Sequence, residues 1–415
     1  MPDSHSWPVA VRALRHRNFR LYFAGQAIST LGSWLQQVAL AWLIYRLTGS
    51  AALLGITTFA ALVPQLLVGP LAGAWIDRHD KRRLLIGVQG LLGLQASGLA
   101  LLTVTGNIGP VLIVAMAALL GVLNAFDTPL RQSLLSQFVS GKQDLPNALA
   151  LNAMLFNSSR FIGPPLAGLL LGVTSEAACF ALNALSYVGL TVGLWIIRMA
   201  PTPRATGSTG DVFREGLAYV AGRPTIRLMM LSVLVVNLTA SSYAVLLPVF
   251  AKDIFAGDAR TLGWLWGAAG LGSLLGTLFL ANRHALEGLA NTIMVCAMAG
   301  GAGLLAFALS EHLVISLLAM ALLGFAITNC NVGTNILLQS LAPEHLRGRV
   351  VSLYTSTRFG FDAIGGLLVG VLAEHVGAPW AMAVAGVLLL SYCAWLLPRQ
   401  RRLGREIAAS SESAR

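Results

Sequence analysis

Three ionisable side chains stand inside apolar sequence where water would not reach them unaided. Arg160 lies near the middle of an apolar run at 147–173, and Arg358 and Asp362 lie near the middle of another at 349–375. An arginine at the centre of a bilayer costs about 2.5–3.5 kcal/mol on insertion scales. Its guanidinium cannot shed a proton to escape that cost, so it must face a hydrated interior or a partner. Arg160 can serve one of two ends there. It can attract an anionic or polar group of a ligand, or it can hold helices together in a fixed ion pair. Arg358 and Asp362 are four residues apart, so they share a helix face with Thr355 and Gly366 and reach one another. That pair is either a permanent strut or a proton exchanger. In the second case a ligand engages Arg358, the freed Asp362 carboxylate takes up a proton, and the proton leaves on the other side.

Weaker polar faces repeat the pattern. Gln26, Thr30, Ser33 and Gln37 share one face, Asn237 and Ser241 another, and Thr328, Asn331, Asn335 and Gln339 a third; Asn124 stands alone in its own apolar run. Each is a candidate for lining a polar cavity, and each could equally bind helix to helix. Trp34, Tyr243 and Trp264 could stack on a flat apolar ligand or act as packing and interfacial anchors. Cys179, Cys296, Cys330 and Cys393 lie in apolar segments with no close spacing, so neither a disulfide framework nor a metal site is expected. No Ser/His/Asp set, HExxH motif or Walker-type phosphate loop appears. Neither an enzyme nor direct ATP hydrolysis is therefore expected.

Only membrane-crossing helices could position such residues. The chain has 415 residues, 56% apolar and 11% charged, against roughly 25% charged in a soluble chain. Too few charges remain to coat a water-facing surface, so lipid is the expected solvent. The net charge of +11 sits in short gaps between long apolar runs, the pattern of loops facing anionic lipid and not of a nucleic-acid surface. A crossing needs about 20 apolar residues. Twelve segments qualify, at 19–46, 51–76, 84–105, 109–137, 147–173, 176–198, 224–252, 261–281, 289–310, 312–340, 349–375 and 378–397. One set of connections holds Arg12, Arg15, Arg17, Arg20, Arg78, Lys81, Arg82, Arg83, Arg204, Arg214, Arg223, Arg283, Arg347, Arg349 and the basic tail; the other holds only Arg46, Lys252 and Arg260. That asymmetry predicts both termini in the cytoplasm. No cleavable signal peptide is expected at the basic N-terminus.

The chain also repeats itself. Asn124 to Gly172 and Asn331 to Gly370 each read as an apolar segment, a polar break and a second segment with an internal Arg-Phe pair, Arg160-Phe161 and Arg358-Phe359. Half-chain repeats of this kind mark transporters, whose substrate sites lie between the halves. Residues 1–198 form the first half and 224–398 the second. The linker at 199–223 carries an expected short amphipathic helix over Asp211 to Tyr219, with Asp211 as cap. The tail at 399–415 is basic, then Ser- and Ala-rich, and is expected to lack regular structure.

Between the second and third segments the chain reads Gly73-Ala-Trp-Ile-Asp77-Arg78-His-Asp-Lys81-Arg82-Arg83. This stretch resembles the loop motif of the major facilitator superfamily, with Gly73, Asp77, Arg78, Lys81 and Arg82 in matching places and Asp80 where the family has Gly. The resemblance spans the whole chain and implies an all-α fold, twelve transmembrane helices in two pseudo-symmetric six-helix bundles, with helices one, four, seven and ten around a cavity. It implies a cytoplasmic gate made by the loop residues with Asp127 and Arg131. Arg160-Phe161-Ile162-Gly163-Pro164-Pro165-Leu166-Ala167-Gly168 is similar, one residue out of register, to the Gly-Pro motif of the superfamily's exporters. That gives Gly163, Pro164, Pro165 and Gly168 a hinge role. With DTPLRQ and LPNALALN it looks like the drug and siderophore efflux branch, which includes macrolide and enterobactin exporters. That likeness implies proton-driven export across a bacterial inner membrane. It also implies a small-molecule substrate, membrane lipid as the surroundings, no cofactor beyond the proton gradient, no nucleic acid and a monomer. Related sequences move lysophospholipids, which is the competing expectation.

Overall fold

Among the described residues twelve long helices fall one on each of the expected apolar segments. The computed structural model describes residues 9–76, 78–139, 143–197, 217–240, 243–283 and 288–412, and the described residues contain no strand. Helix α1 spans Arg17–Thr48, α2 Ala51–Ile76, α3 Lys81–Val104, α4 Pro110–Leu135, α5 Leu145–Leu171 and α6 Glu176–Ile196. Helix α7 is described over Pro224–Thr239 and from Tyr243 to Ile254. Beyond it lie α8 Ala259–Ala281, α9 Leu289–Leu309, α10 Leu313–Leu341, α11 Glu344–Val376 and α12 Ala378–Glu412. Among the described residues, eleven helices are long and apolar enough to cross a membrane. The twelfth is α5, whose polar run Asn157-Ser158-Ser159-Arg160 interrupts its apolar character.

Local chemistry sets several boundaries. Asp80 caps α3, accepting the N–H groups of Arg82 and Arg83 at 3.0 and 3.1 Å, which accounts for an aspartate in place of the motif's glycine. Helix α1 stops at Gly49, whose φ of 63° only glycine adopts without strain. Within α7 the α-helix covers Pro224–Thr239 and Tyr243–Val249, and a π-helical turn follows over Phe250–Ile254. One expectation needs correction. The basic tail is not irregular, since α12 continues through Pro398 to Glu412; arginines and alanines are good helix formers, and the preceding helix supplies the nucleus. Of the expected linker helix, residues 217–219 are helical and the helix runs on to 222, while residues 211–216 lie outside the described residues.

Helices α1–α6 form one bundle and α7–α12 the other, and they meet along two seams, α5 against α8 and α2 against α11. The buried side chains show how. At the face carrying the chain ends, here the terminal face, there are two separate cores. One belongs to the first bundle (Phe19, Tyr22, Leu130, Phe138) and one to the second (Ile226, Leu337, Val350, Tyr354). Towards the opposite face a single core runs across both bundles, from Tyr45 and Phe180 to Leu247, Phe250 and Phe307. The seams agree with this division. A β-carbon on Gly168 would stand 2.6 Å from the Ala259 carbonyl oxygen, and one on Gly370 would stand 2.7 Å from the Ala51 carbonyl oxygen, both near the opposite face. At the terminal end of α2, Gly69 and Gly73 have open space around the same position. The bundles are closed on the opposite face and parted on the terminal face.

A clasp ties down the segment before α1. A 3-10 turn over Val9–Arg15 leads into Asp144, which receives Arg12 at 2.5 Å, Arg15 at 2.6 Å and His16 at 2.8 Å. The Ala13 N–H donates to Asn147 Oδ1 at 2.8 Å. The hydrogen bond from His16, and after it the Arg15 and Arg12 charges, hold the Asp144 carboxyl below its ordinary range, against the opposing effect of burial. A depressed carboxyl stabilises docking above the pKa it has when freed, about 4, and that contribution is lost as pH falls through the lower, docked value. At pH 7.5 the Asp144→Ala protein should be cut by trypsin after Arg12 and Arg15 about tenfold faster than the parent. Equal cleavage rates would show that the clasp contributes nothing.

Candidate functional site: the central cavity

The prolines of α5 decide what meets at mid-membrane. Pro164 and Pro165 have no N–H, so the carbonyls four residues earlier, on Arg160 and Phe161, lose their helical partners. Those carbonyls face α8, where only glycines leave room. A β-carbon on Gly270 would lie 2.4 Å from the Arg160 oxygen, and one on Gly267 would lie 2.4 Å from Pro165 Cγ. Gly163 takes the opposite flank of α5, packed on Trp34 of α1, where a β-carbon would come within 2.6 Å of the Trp34 β-carbon. The expected hinge residues, Gly163, Pro164, Pro165 and Gly168, thus sit in close packing between α1, α5 and α8.

Beside this contact lies a cavity of about 390 Å³ between the bundles. Arg160 enters it from α5, Arg358 and Asp362 from α11, Gln37 from α1 and Asn124 from α4. Two guanidinium charges against one carboxylate leave a net +1 (2 − 1) among these groups. Asp362 lies within the electrostatic reach of Arg358 first and Arg160 second. Among the described residues no carboxylate oxygen comes within 4.0 Å of either guanidinium nitrogen. The three charges therefore surround a space instead of closing on one another. Arg160 has Tyr243 of α7 beside it. Arg358 lies over the Phe359 ring, 5.2 Å from its centroid. Its neighbour Tyr354 donates to the Asn331 carbonyl at 2.9 Å.

The remaining polar candidates divide. Gln26, Asn237, Asn331 and Asn335, expected at the cavity, do not line it. Gln26 is buried inside the first bundle, where its carbonyl oxygen accepts from Arg131 and its amide donates to Thr30 at 3.0 Å. Asn237 donates to Asn331 at 2.9 Å inside the second bundle. Asn335 accepts from Gln339 at 3.1 Å. A helix face with polar groups four apart can point at a cavity or at a neighbouring helix, and in these cases a partner on the same or a neighbouring helix of the bundle satisfies the amide. Trp34 and Tyr243 line the cavity, whereas Trp264 points outward, 48% exposed, and Trp266 takes its place. Trp34 and Trp266 meet edge to face across the bundles at 6.5 Å. The signal for Trp266 was available: it shares a helix face with Gly263 and Gly270, the residues that mark the seam. Thr57, Thr58 and Gln65 of α2 also line the cavity, a polar face that sequence reading passed over.

The loop-motif residues fall in several settings. Asp127 receives Arg131 at 2.7 Å and Gln89 at 2.5 Å, forming a neutral buried pair in the first bundle. Arg82 donates to the Leu194 and Trp195 carbonyls at 2.9 and 2.8 Å, satisfying the end of α6. Arg78 is exposed, Gly73 and Lys81 are half-buried, and Asp77 lies outside the described residues.

This architecture has close relatives among known proteins. The transmembrane secretion effector family matches residues 9–413. The staphyloferrin A transporter of Staphylococcus aureus is 27% identical over 370 residues, covering 89% of this chain and 92% of that protein. The multidrug efflux pump Tap of Mycolicibacterium fortuitum is 28% identical over 393 residues, covering 90% and 93%. The enterobactin exporter EntS of Shigella boydii is 26% identical over 406 residues, covering 94% and 95%. In fold, the chain superposes on a bacterial homologue of the human lysosomal transporter Spinster, in an inward-facing and unoccupied conformation. The TM-score is 0.71, at 14% identity, over 98% of this chain and 99% of that one. These relatives are transporters, not enzymes. The chain is a multi-pass membrane protein of the major facilitator fold, an efflux or secretion transporter that belongs to the transmembrane secretion effector family.

Proposed function

We propose that the chain exports a small amphipathic molecule, a drug or siderophore bearing an anionic group, by alternating access coupled to proton antiport. The observation that carries this reading is the cavity in which Arg160 from one bundle and Arg358 from the other flank a single carboxylate, Asp362. An anion can span the two guanidinium groups, and Asp362 then has a reason to change protonation as its arginine neighbours are engaged. The aromatic walls from Trp34, Tyr243 and Trp266 suit the apolar part of such a molecule. The relatives named as siderophore and multidrug transporters agree with this class. The terminal face carries most of the basic residues, which supports its assignment to the cytoplasm of a bacterial inner membrane. The parted bundles then correspond to the state that loads substrate from inside.

A deletion strain screened for drug susceptibility and siderophore secretion supplies the substrate. Purified protein in vesicles should then concentrate that substrate only when a pH gradient is imposed, and a protonophore should abolish the accumulation. Accumulation that survives the protonophore, or uptake that merely equilibrates with a gradient present, would reject proton antiport.

A further inference from the structure

On the closed face, two charges sit at the wrong end of their own helix and the right end of another. Glu374 lies in the last turn of α11, where the helix dipole is negative and a carboxylate is disfavoured. It reaches across the seam to the start of α2. There its Oε2 accepts the Ala52 N–H at 3.0 Å and the Ser50 hydroxyl at 3.0 Å. Ser50 in turn accepts the Leu53 N–H at 3.2 Å. The first turn of α2 holds no acidic residue of its own, so its capping carboxylate comes from the other bundle. The second seam has the mirror arrangement. Arg260 lies in the first turn of α8, where the dipole is positive and a cation is disfavoured. Its Nη2 donates to the carbonyl of Gly172, the residue ending α5, at 3.2 Å. Its own-helix neighbour Asp258 is 3.8 Å from Nε.

Each charge therefore gains from a foreign helix end only while its seam is closed. When the seam parts, Glu374 returns to the negative end of α11 and Arg260 to the positive end of α8. We infer that Glu374 and Arg260 are gating residues of the opposite face, positioned to favour the closed seam over the open one and so to set the balance between the two access states. This rests on the alternating-access reading above. A third contact between the bundles, Tyr45 of α1 donating to Asp253 of α7 with Lys252 lying 5.4 Å from the Tyr45 ring centroid, occupies the same face. Arg46 and Glu176, paired at 2.7 Å, lie there too, but both belong to the first bundle.

The test is a distance measurement by pulsed electron resonance on the full chain in vesicles. Spin labels are introduced through Thr174→Cys and Glu311→Cys, exposed positions on the opposite-face loops of the two bundles. The four native thiols are buried and do not compete for label. Glu374→Gln keeps the shape and removes the charge. It should raise the ratio of open to closed opposite face about threefold, as should Arg260→Gln. The double variant should raise it about tenfold, since the two seams are far apart and their effects add. Glu176→Gln breaks a pair of the same mouth without crossing a seam and should leave the ratio unchanged. If the parent distance responds to pH but Glu374→Gln and Arg260→Gln both keep the parent distribution, the gating inference falls and alternating access stands. The inference also falls if Glu176→Gln shifts the ratio as much as they do. If the parent shows one distance at every pH and with substrate, and the variants match it, both fall.

Discussion

Export stops in the Arg160→Ala protein, with the rate down at least a hundredfold, while the amount of protein in the membrane stays near normal. The guanidinium reaches a cavity between the bundles and is not the keystone of an ion pair there, so removing it deletes a positive charge without stranding a buried carboxylate against it. Fold stability is then spared, because the helix also loses an arginine that is expensive to insert. Ligand binding is not spared. A charge-assisted contact in a site shielded from bulk water is worth about 2–5 kcal/mol, or roughly thirtyfold to several thousandfold. Arg160→Lys separates charge from shape: an ammonium keeps the sign and loses the planar fork, so it should restore part of the rate. Initial rates in vesicles, normalised to protein by immunoblot, decide the matter. Full activity in Arg160→Ala would remove the residue from the substrate path, and loss of the protein from the membrane would make it a structural strut instead.

The second large effect is expected at Asp362. Asparagine preserves the size and the hydrogen-bonding edge of this side chain but cannot take up a proton. The Asp362→Asn protein should still exchange labelled for unlabelled substrate across the vesicle membrane, since the cavity and both arginines remain. Concentration against a gradient should disappear, with the accumulation ratio falling to about one, the value that any uncoupled carrier reaches at equilibrium. With two guanidinium groups then facing no carboxylate, an anionic substrate should bind more tightly and leave more slowly. Uphill accumulation by Asp362→Asn would place proton coupling elsewhere, and loss of exchange as well would mean that the carboxylate is needed for binding.

How much of this could be read beforehand depended on whether one residue or a pair of elements held the information. The twelve crossings were legible because lipid imposes a length and a composition on every one of them, α5 included even though its polar centre weakens its hydropathy. The inward direction of Arg160, Arg358 and Asp362 follows from cost alone. Gln26 was a different case. Its spacing with Thr30 and Gln37 fits a cavity wall, yet Arg131, more than 100 positions away, draws it into the bundle. Asn237 and Asn331 satisfy each other across 94 positions in the same way. Trp264 and Trp266 differ by two positions and point in opposite directions, which only the phase of the seam glycines resolves. Arg260 read merely as an outer-loop charge, and Glu374 gave no signal, because the helix ends that give them meaning belong to distant parts of the chain.

The pairing of Asp127 with Arg131 bears on how the protein is made. Both residues lie on α4, one turn apart and 2.7 Å from each other, so the pair can form as soon as that helix winds, before any neighbour is present. The segment leaves the ribosome electrically neutral and can pass from the translocon into lipid by itself. Helix α5 has no such internal counter-charge for Arg160, since Asp144 lies four turns away and is engaged with Arg12, Arg15 and His16. Its arginine therefore enters lipid without a counter-charge on its own helix, since the groups that face it in the fold, Tyr243 of α7 and Asp362 of α11, come later in the chain.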